Sequence, residues 1–145
     1  MPAIAKVTKE MIIEAAFEIA KEMGAENINA RTVSQKLGCS TQPVLYHFKT
    51  IEDVRIAAHK KASEFHVNYV TNLSGKYERP MLEVGMRHIQ FAVEEKNLFR
   101  FLFHSSYYTG VSLSDWLTGE NFGSLFPILK KQANVDQQQA YKVFI

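Results

Sequence analysis

Apolar residues recur along this chain at spacings of three and four, the period of a helix that buries one face. Met11, Ile12, Ala15, Ala16, Ile19 and Met23 form the first such stripe. Thr8 stands before it as an N-cap, and Gly24 follows it as an expected αL cap. Asn29 is placed to cap a short second helix, Ala30–Leu37, in which Val33 and Leu37 share a face and which Gly38 closes. Ser40 is the expected cap of a third helix over 41–48. Pro43 falls in its first turn, where a missing N–H breaks no intrahelical bond. Thr50 and Asp53 resemble a capping box opening a long linking helix over 50–72. Its inner stripe is Ile51, Val54, Ala58, Ala62, Phe65 and Tyr69.

The segment 75–80 is the clearest boundary in the chain. Beyond it, Leu82, Gly85, Met86, Ile89, Ala92 and Val93 trace another helical face. Asn97 is the expected cap of a short helix containing "LFRFLF", followed by a Ser/Tyr/Gly-rich connection over 105–114. Trp116, Leu117, Phe122, Leu125, Phe126, Ile128 and Leu129 predict a further helix, irregular around Gly119 and Gly123. Asp136 caps a last one, beginning "QQQAYKVFI". No convincing run of period-two strands competes with these helices, so the expected fold is all-α.

Composition changes this picture little. A chain of 145 residues is expected to form one domain, or two small helical ones sharing a core, and its 46% apolar content suffices to bury one. The formal charge of +2 announces neither nucleic acid nor membrane. Cys39 is the single cysteine, which fits a reducing, cytoplasmic setting. No apolar run reaches the roughly 18 residues of a membrane span. The start, "MPAIAKVTKE", has no h-region, so export is not expected.

The distribution of charge is more informative than its sum. No Asp or Glu occurs over residues 27–51, while Arg31, Lys36, His47 and Lys49 do. Acidic residues crowd both sides, at Glu10, Glu14, Glu18, Glu22 and Glu26, then at Glu52 and Asp53. A surface that meets phosphates needs such a gap, because each carboxylate there would repel the backbone. The same window holds two short helices joined by a glycine-containing turn, the outline of a helix-turn-helix. On the third helix Val44 and Phe48 turn inward, leaving Thr41, Gln42, Pro43, Tyr46 and His47 outward. Gln suits a bidentate adenine contact, Pro43 or Leu45 a thymine methyl, and Tyr, His and Lys the phosphates. The N-termini of the second and fourth helices would add backbone donors. Short helix pairs of this kind also occur in proteins that bind no DNA.

The stretch "IIEAAFEIAKEMGAENINARTVSQKLGCSTQPVLYHFKTIEDV" resembles the DNA-binding region of the TetR family of transcriptional regulators, over about residues 8–58. Its most specific piece is Gly38-Cys39-Ser40-Thr41 followed by Leu45-Tyr46-His47-Phe48-Lys49. The resemblance implies a three-helix DNA-binding domain over 1–49. A helical ligand-binding and dimerising domain would follow over 50–145, beginning with the linking helix. It implies a homodimeric repressor that a small molecule releases from its double-stranded DNA operator by shifting the fourth helix. Carried onto this chain, Arg31 would approach a base or phosphate, Thr41, Gln42 and Pro43 would enter the major groove, and Tyr46, His47 and Lys49 would grip the backbone. Two positions depart from the family. Gln42-Pro43 stands where a small residue, frequently glycine, is common, which implies an altered base preference. Ile51 stands where lysine is frequent, which removes one phosphate contact.

Further along, "MRHIQFAVEEKNLFRFLF" weakly resembles the helix five to six region of some TetR-type regulators. Family members usually run longer and dimerise through two further helices. This chain ends at Ile145, just inside the first of them, so a truncated or short form is expected. Met86, Ile89, Phe99, Phe103, Trp116, Phe122 and Phe126 are candidates to line a pocket for an apolar or aromatic effector, with Phe91, Phe101 and Tyr107 among the other aromatics. Aromatics at helical spacing more often fill core. His88, Gln90, His104 and Asn121 are the polar groups that would orient such a ligand.

No catalytic, metal or cofactor site is expected. His59 and His66, seven apart, make a poor metal pair. No nucleophile elbow, P-loop or zinc-protease motif occurs. An enzyme is the least supported reading. The alternative to a regulator is a helical small-molecule- or partner-binding protein that keeps the fold without DNA function.

Overall fold

The computed structural model describes residues 6–105. Among these residues the chain is helical and contains no β-strand. The helices are α1 (Lys9–Met23), α2 (Ala30–Leu37), α3 (Gln42–His47), α4 (Ile51–Thr71), α5 (Pro80–Glu94) and α6 (Lys96–Phe103), with a 3-10 turn at Ala25–Asn27. The helices expected beyond 105, including Trp116, Phe122 and Phe126, lie outside the described residues.

Most helix ends follow from local chemistry. The Met11 N–H donates to Thr8 Oγ1 at 3.2 Å, starting α1. At its other end Gly24 has φ 102° and ψ 149°, outside the αL region expected of it. The positive φ still favours glycine, and an added Cβ would meet Glu26 Oε1 at 2.5 Å. The 3-10 turn follows at once, and Asn27 Nδ2 donates to the Met23 carbonyl at 2.7 Å. A side chain thus satisfies an end carbonyl where a left-handed cap was expected.

Asn29 opens α2 with a reciprocal cap: Thr32 N–H donates to Asn29 Oδ1 at 2.9 Å, and Asn29 N–H to Thr32 Oγ1 at 3.1 Å. Gly38 closes α2 in the αL region, at φ 68° and ψ 31°. Ser40 does not cap α3. Thr41 holds the cap position at φ −74° and ψ −15°, and no side-chain cap bond forms. An N-cap side chain reaches the first turn from an extended backbone, which Thr41 lacks. Thr50 and Asp53 do form the expected box at the start of α4, with bonds of 3.2 and 3.3 Å.

The described residues fall into two compact units, 6–62 with 97–105, and 63–96. In the first, Ile12, Ala16 and Ala20 of α1, Val33 of α2, Val44 of α3 and Val54, Ala58 and Ala62 of α4 are all buried. Polar ties fix the helices around this core. Arg55 donates through Nε and Nη2 to the Ile28 carbonyl at 3.2 and 2.8 Å, and Lys61 pairs with Glu14 at 2.7 Å. Asn97 does not cap α6. It lies within the helix, and its Nδ2 donates to the Lys21 carbonyl at 3.1 Å. His59 meets the Phe101 ring edge-on at 5.0 Å.

In the second unit Phe91 is fully buried, with the rings of His66, Tyr69 and Phe65 at 4.7, 5.4 and 6.2 Å. Burying a phenylalanine side chain stabilises by about 1.5–3 kcal/mol. Here α5 departs from its apolar pattern. Leu82, Met86, Ile89 and Val93 are exposed, whereas Glu83, Val84 and Phe91 are buried. The buried face carries polar groups because each has a partner. Glu83 accepts from the Ser74 N–H and hydroxyl at 2.6 and 2.7 Å and from the Gly75 N–H at 3.2 Å. These bonds, the Ser74 hydroxyl first, hold its carboxyl below the usual carboxylate range.

Candidate nucleic-acid interface

Residues 30–49 of the first unit carry the positions that the sequence singled out. Successive residues of a helix are turned by about 100°, so Gln42, Leu45 and Tyr46 occupy one arc of about 100° on α3. All are exposed, Leu45 by 55% and Tyr46 by 84%. Lys49 follows the same register just past the helix and is exposed, as are Thr41 and Arg31, the latter in the first turn of α2. The opposite arc, Val44 and Phe48, is buried and fixes the helix's rotation. The buried pair thereby holds Leu45 and Tyr46 outward.

Pro43 and His47, four apart, lie between these arcs and are half-buried. They border an open groove of about 790 Å³ lined also by Lys6, Val7, Gly38, Cys39, Ser40, Gln42 and Tyr46. No carboxylate is among its described lining residues. His47 is therefore less outward than expected: its Nε2 lies 2.9 Å from the Val7 carbonyl oxygen, and its ring meets Tyr46 edge-on at 5.2 Å.

The cations of the window separate in space. Lys36 Nζ lies 3.3 Å from Glu18 and 3.4 Å from Glu22, both on α1. Partial desolvation pulls its pKa down, but hydrogen bonds and charge from the two carboxylates win and raise it above the ordinary lysine value. Lys36 is thus already paired within the chain. Lys9 stands over the Phe48 ring, 5.1 Å from its centroid. At the N-termini of α2 and α4, caps occupy the Thr32 and Asp53 N–H groups.

Of the candidate ligand residues, Met86, Ile89, Phe99 and Phe103 are among the described ones. Phe99 and Phe103 of α6 are half-buried, their rings tilted against each other with centroids 5.0 Å apart. Met86 and Ile89 are exposed on α5. Of the polar groups expected to orient a ligand, Gln90 donates to Glu94 at 2.8 Å, His88 faces His66 at 2.9 Å and the His104 ring lies 5.6 Å from that of Phe99. Asn121 lies outside the described residues. The second cavity, of about 340 Å³, is lined by residues including Arg55, Asn97, Arg100 and His104.

The sequence reading missed Lys6 and Val7, which lie beside α3. A signal was present: Val7 and Ile12 occupy the N′ and N4 positions of a hydrophobic staple around Thr8, and both are buried. Arg55 was missed as well, since its acceptor is a backbone carbonyl that no residue type marks.

Compared with protein-family models and with curated proteins, the chain matches none.

Proposed function

We propose that this chain is a sequence-specific, DNA-binding transcriptional regulator of the TetR type, a repressor released from its operator by a small-molecule effector. The observation that carries the reading is the exposed set Arg31, Thr41, Gln42, Leu45, Tyr46 and Lys49 within an acid-free window. In this reading α2, the Gly38 turn and α3 are a helix-turn-helix, and α3 is the recognition helix. Gln42, Pro43 and Leu45 meet base edges, while Arg31, Tyr46 and Lys49 hold phosphates. The unit up to Lys49 serves DNA, and α4 leads into the regulatory and dimerising part. A homodimer of such modules reads two half-sites about 34 Å, one helical turn, apart or a multiple of it. The reading places the protein in the cytoplasm and gives it no catalytic role.

Fluorescence anisotropy with the duplex upstream of its own gene tests this. Wild type should bind at low salt and weaken steeply as salt rises. Equal binding by Arg31→Ala, Tyr46→Ala and Lys49→Ala proteins, or no binding by wild type, would remove the reading.

A further inference from the structure

We propose that His47 is a positioning residue that pins the N-terminal arm, residues 6–7, beside α3, so that Lys6 becomes a phosphate contact outside the helix-turn-helix. The proposal rests on the DNA-binding reading above.

Residues before the first cap of a domain ordinarily fray unless something ties them down. Here α1 begins at Lys9, yet Val7 is buried, and its carbonyl lies 2.9 Å from His47 Nε2, forty residues later in the chain. A carbonyl only accepts, so Nε2 carries the hydrogen. That commitment changes what His47 does. With its Nε2–H given to Val7, that nitrogen has no hydrogen left for a phosphate. The side chain expected to meet the DNA backbone instead faces the chain itself. What it places there is a cation: Lys6 and Val7 line the groove that also holds Gln42, Pro43 and Tyr46, and no carboxylate is among the described residues that line it. With Lys36 held by Glu18 and Glu22, Lys6 adds a cation beside the exposed arc of α3.

Two measurements on the full chain decide the matter. The first needs no DNA: trypsin cleavage after Lys6, followed by mass spectrometry. Wild type should be protected, His47→Ala should be cut about tenfold faster (on the order of 1.4 kcal/mol of lost protection), and His47→Gln, which keeps a donor, should retain most of the protection. Equal cleavage of wild type and His47→Ala would overturn the pin. The second is the salt dependence of affinity for a mixed-sequence DNA duplex. Lys6→Ala should flatten the log–log slope by about 0.9, one phosphate's worth. His47→Ala should flatten it equally, and the double variant no further. An unchanged slope for Lys6→Ala, or additive losses showing that His47 meets a phosphate itself, would overturn the proposal. Absence of any wild-type affinity would remove the DNA reading and the role of Lys6 with it, and the cleavage result would still decide whether His47 holds the arm.

Discussion

The Nε2 of His66 lies 2.9 Å from the Nδ1 of His88 inside the second unit, with His66 2% exposed and edge-on to Phe91. Such a bond needs a hydrogen on one nitrogen and a lone pair on the other, and a further proton on either ring would bury a charge. Burial pushes His66 down to about 4, and the charge of His88 adds to the shift. Burial lowers His88 as well.

A pH dependence follows. In the unfolded chain His66 titrates near 6.5, above its folded value of about 4. The unfolded state therefore takes up the proton first as pH falls. Stability should be complete above about pH 6.5 and decline toward pH 4, by on the order of 3 kcal/mol from this residue. Denaturant unfolding at a series of pH values should show the decline in wild type and a flatter profile in His66→Phe. Parallel profiles would mean that the pair does not titrate in this way.

The cations of the acid-free window should not be equivalent in DNA binding. Arg31 and Lys49 are exposed, whereas Lys36 is held by Glu18 and Glu22. Replacing Arg31 or Lys49 by alanine should each reduce the salt slope of duplex affinity by about 0.9. Lys36→Ala should leave the slope nearly unchanged. Salt titrations followed by anisotropy measure all of them side by side, and a full unit lost on removing Lys36 would contradict the assignment.

α2 depends on one local device at each end. Removing the Asn29 cap in Asn29→Ala should destabilise the protein by about 1 kcal/mol, and Asn29→Ser should recover most of it. Gly38 has nothing within 4 Å of an added Cβ, so Gly38→Ala tests backbone strain alone. Its cost should be about 1 kcal/mol, from forcing a side chain into the αL region. Urea midpoints compare these variants, and a neutral Gly38→Ala would show that the turn relaxes.

Elements governed by neighbours in sequence were legible from the sequence. Thr8, Asn29 and Thr50 cap helices because their partners lie within a few residues, and Gly38 closes α2 because only the backbone there has to turn. The alternation of Val44 and Phe48 with Gln42, Leu45 and Tyr46 likewise set which side of α3 is exposed. What depends on distant partners was decided only by the tertiary structure. α5 buries Glu83 and leaves Ile89 exposed because Ser74 and Gly75 supply the hydrogen bonds that make a buried carboxylate tolerable. Lys36 counted as a free cation until α1 brought Glu18 and Glu22 beside it. His47 counted as outward until the Val7 carbonyl met its Nε2. Helical periodicity reports which residues share a face, but a polar side chain's role depends on the partner that folding brings within about 3 Å, and that partner can lie anywhere in the chain.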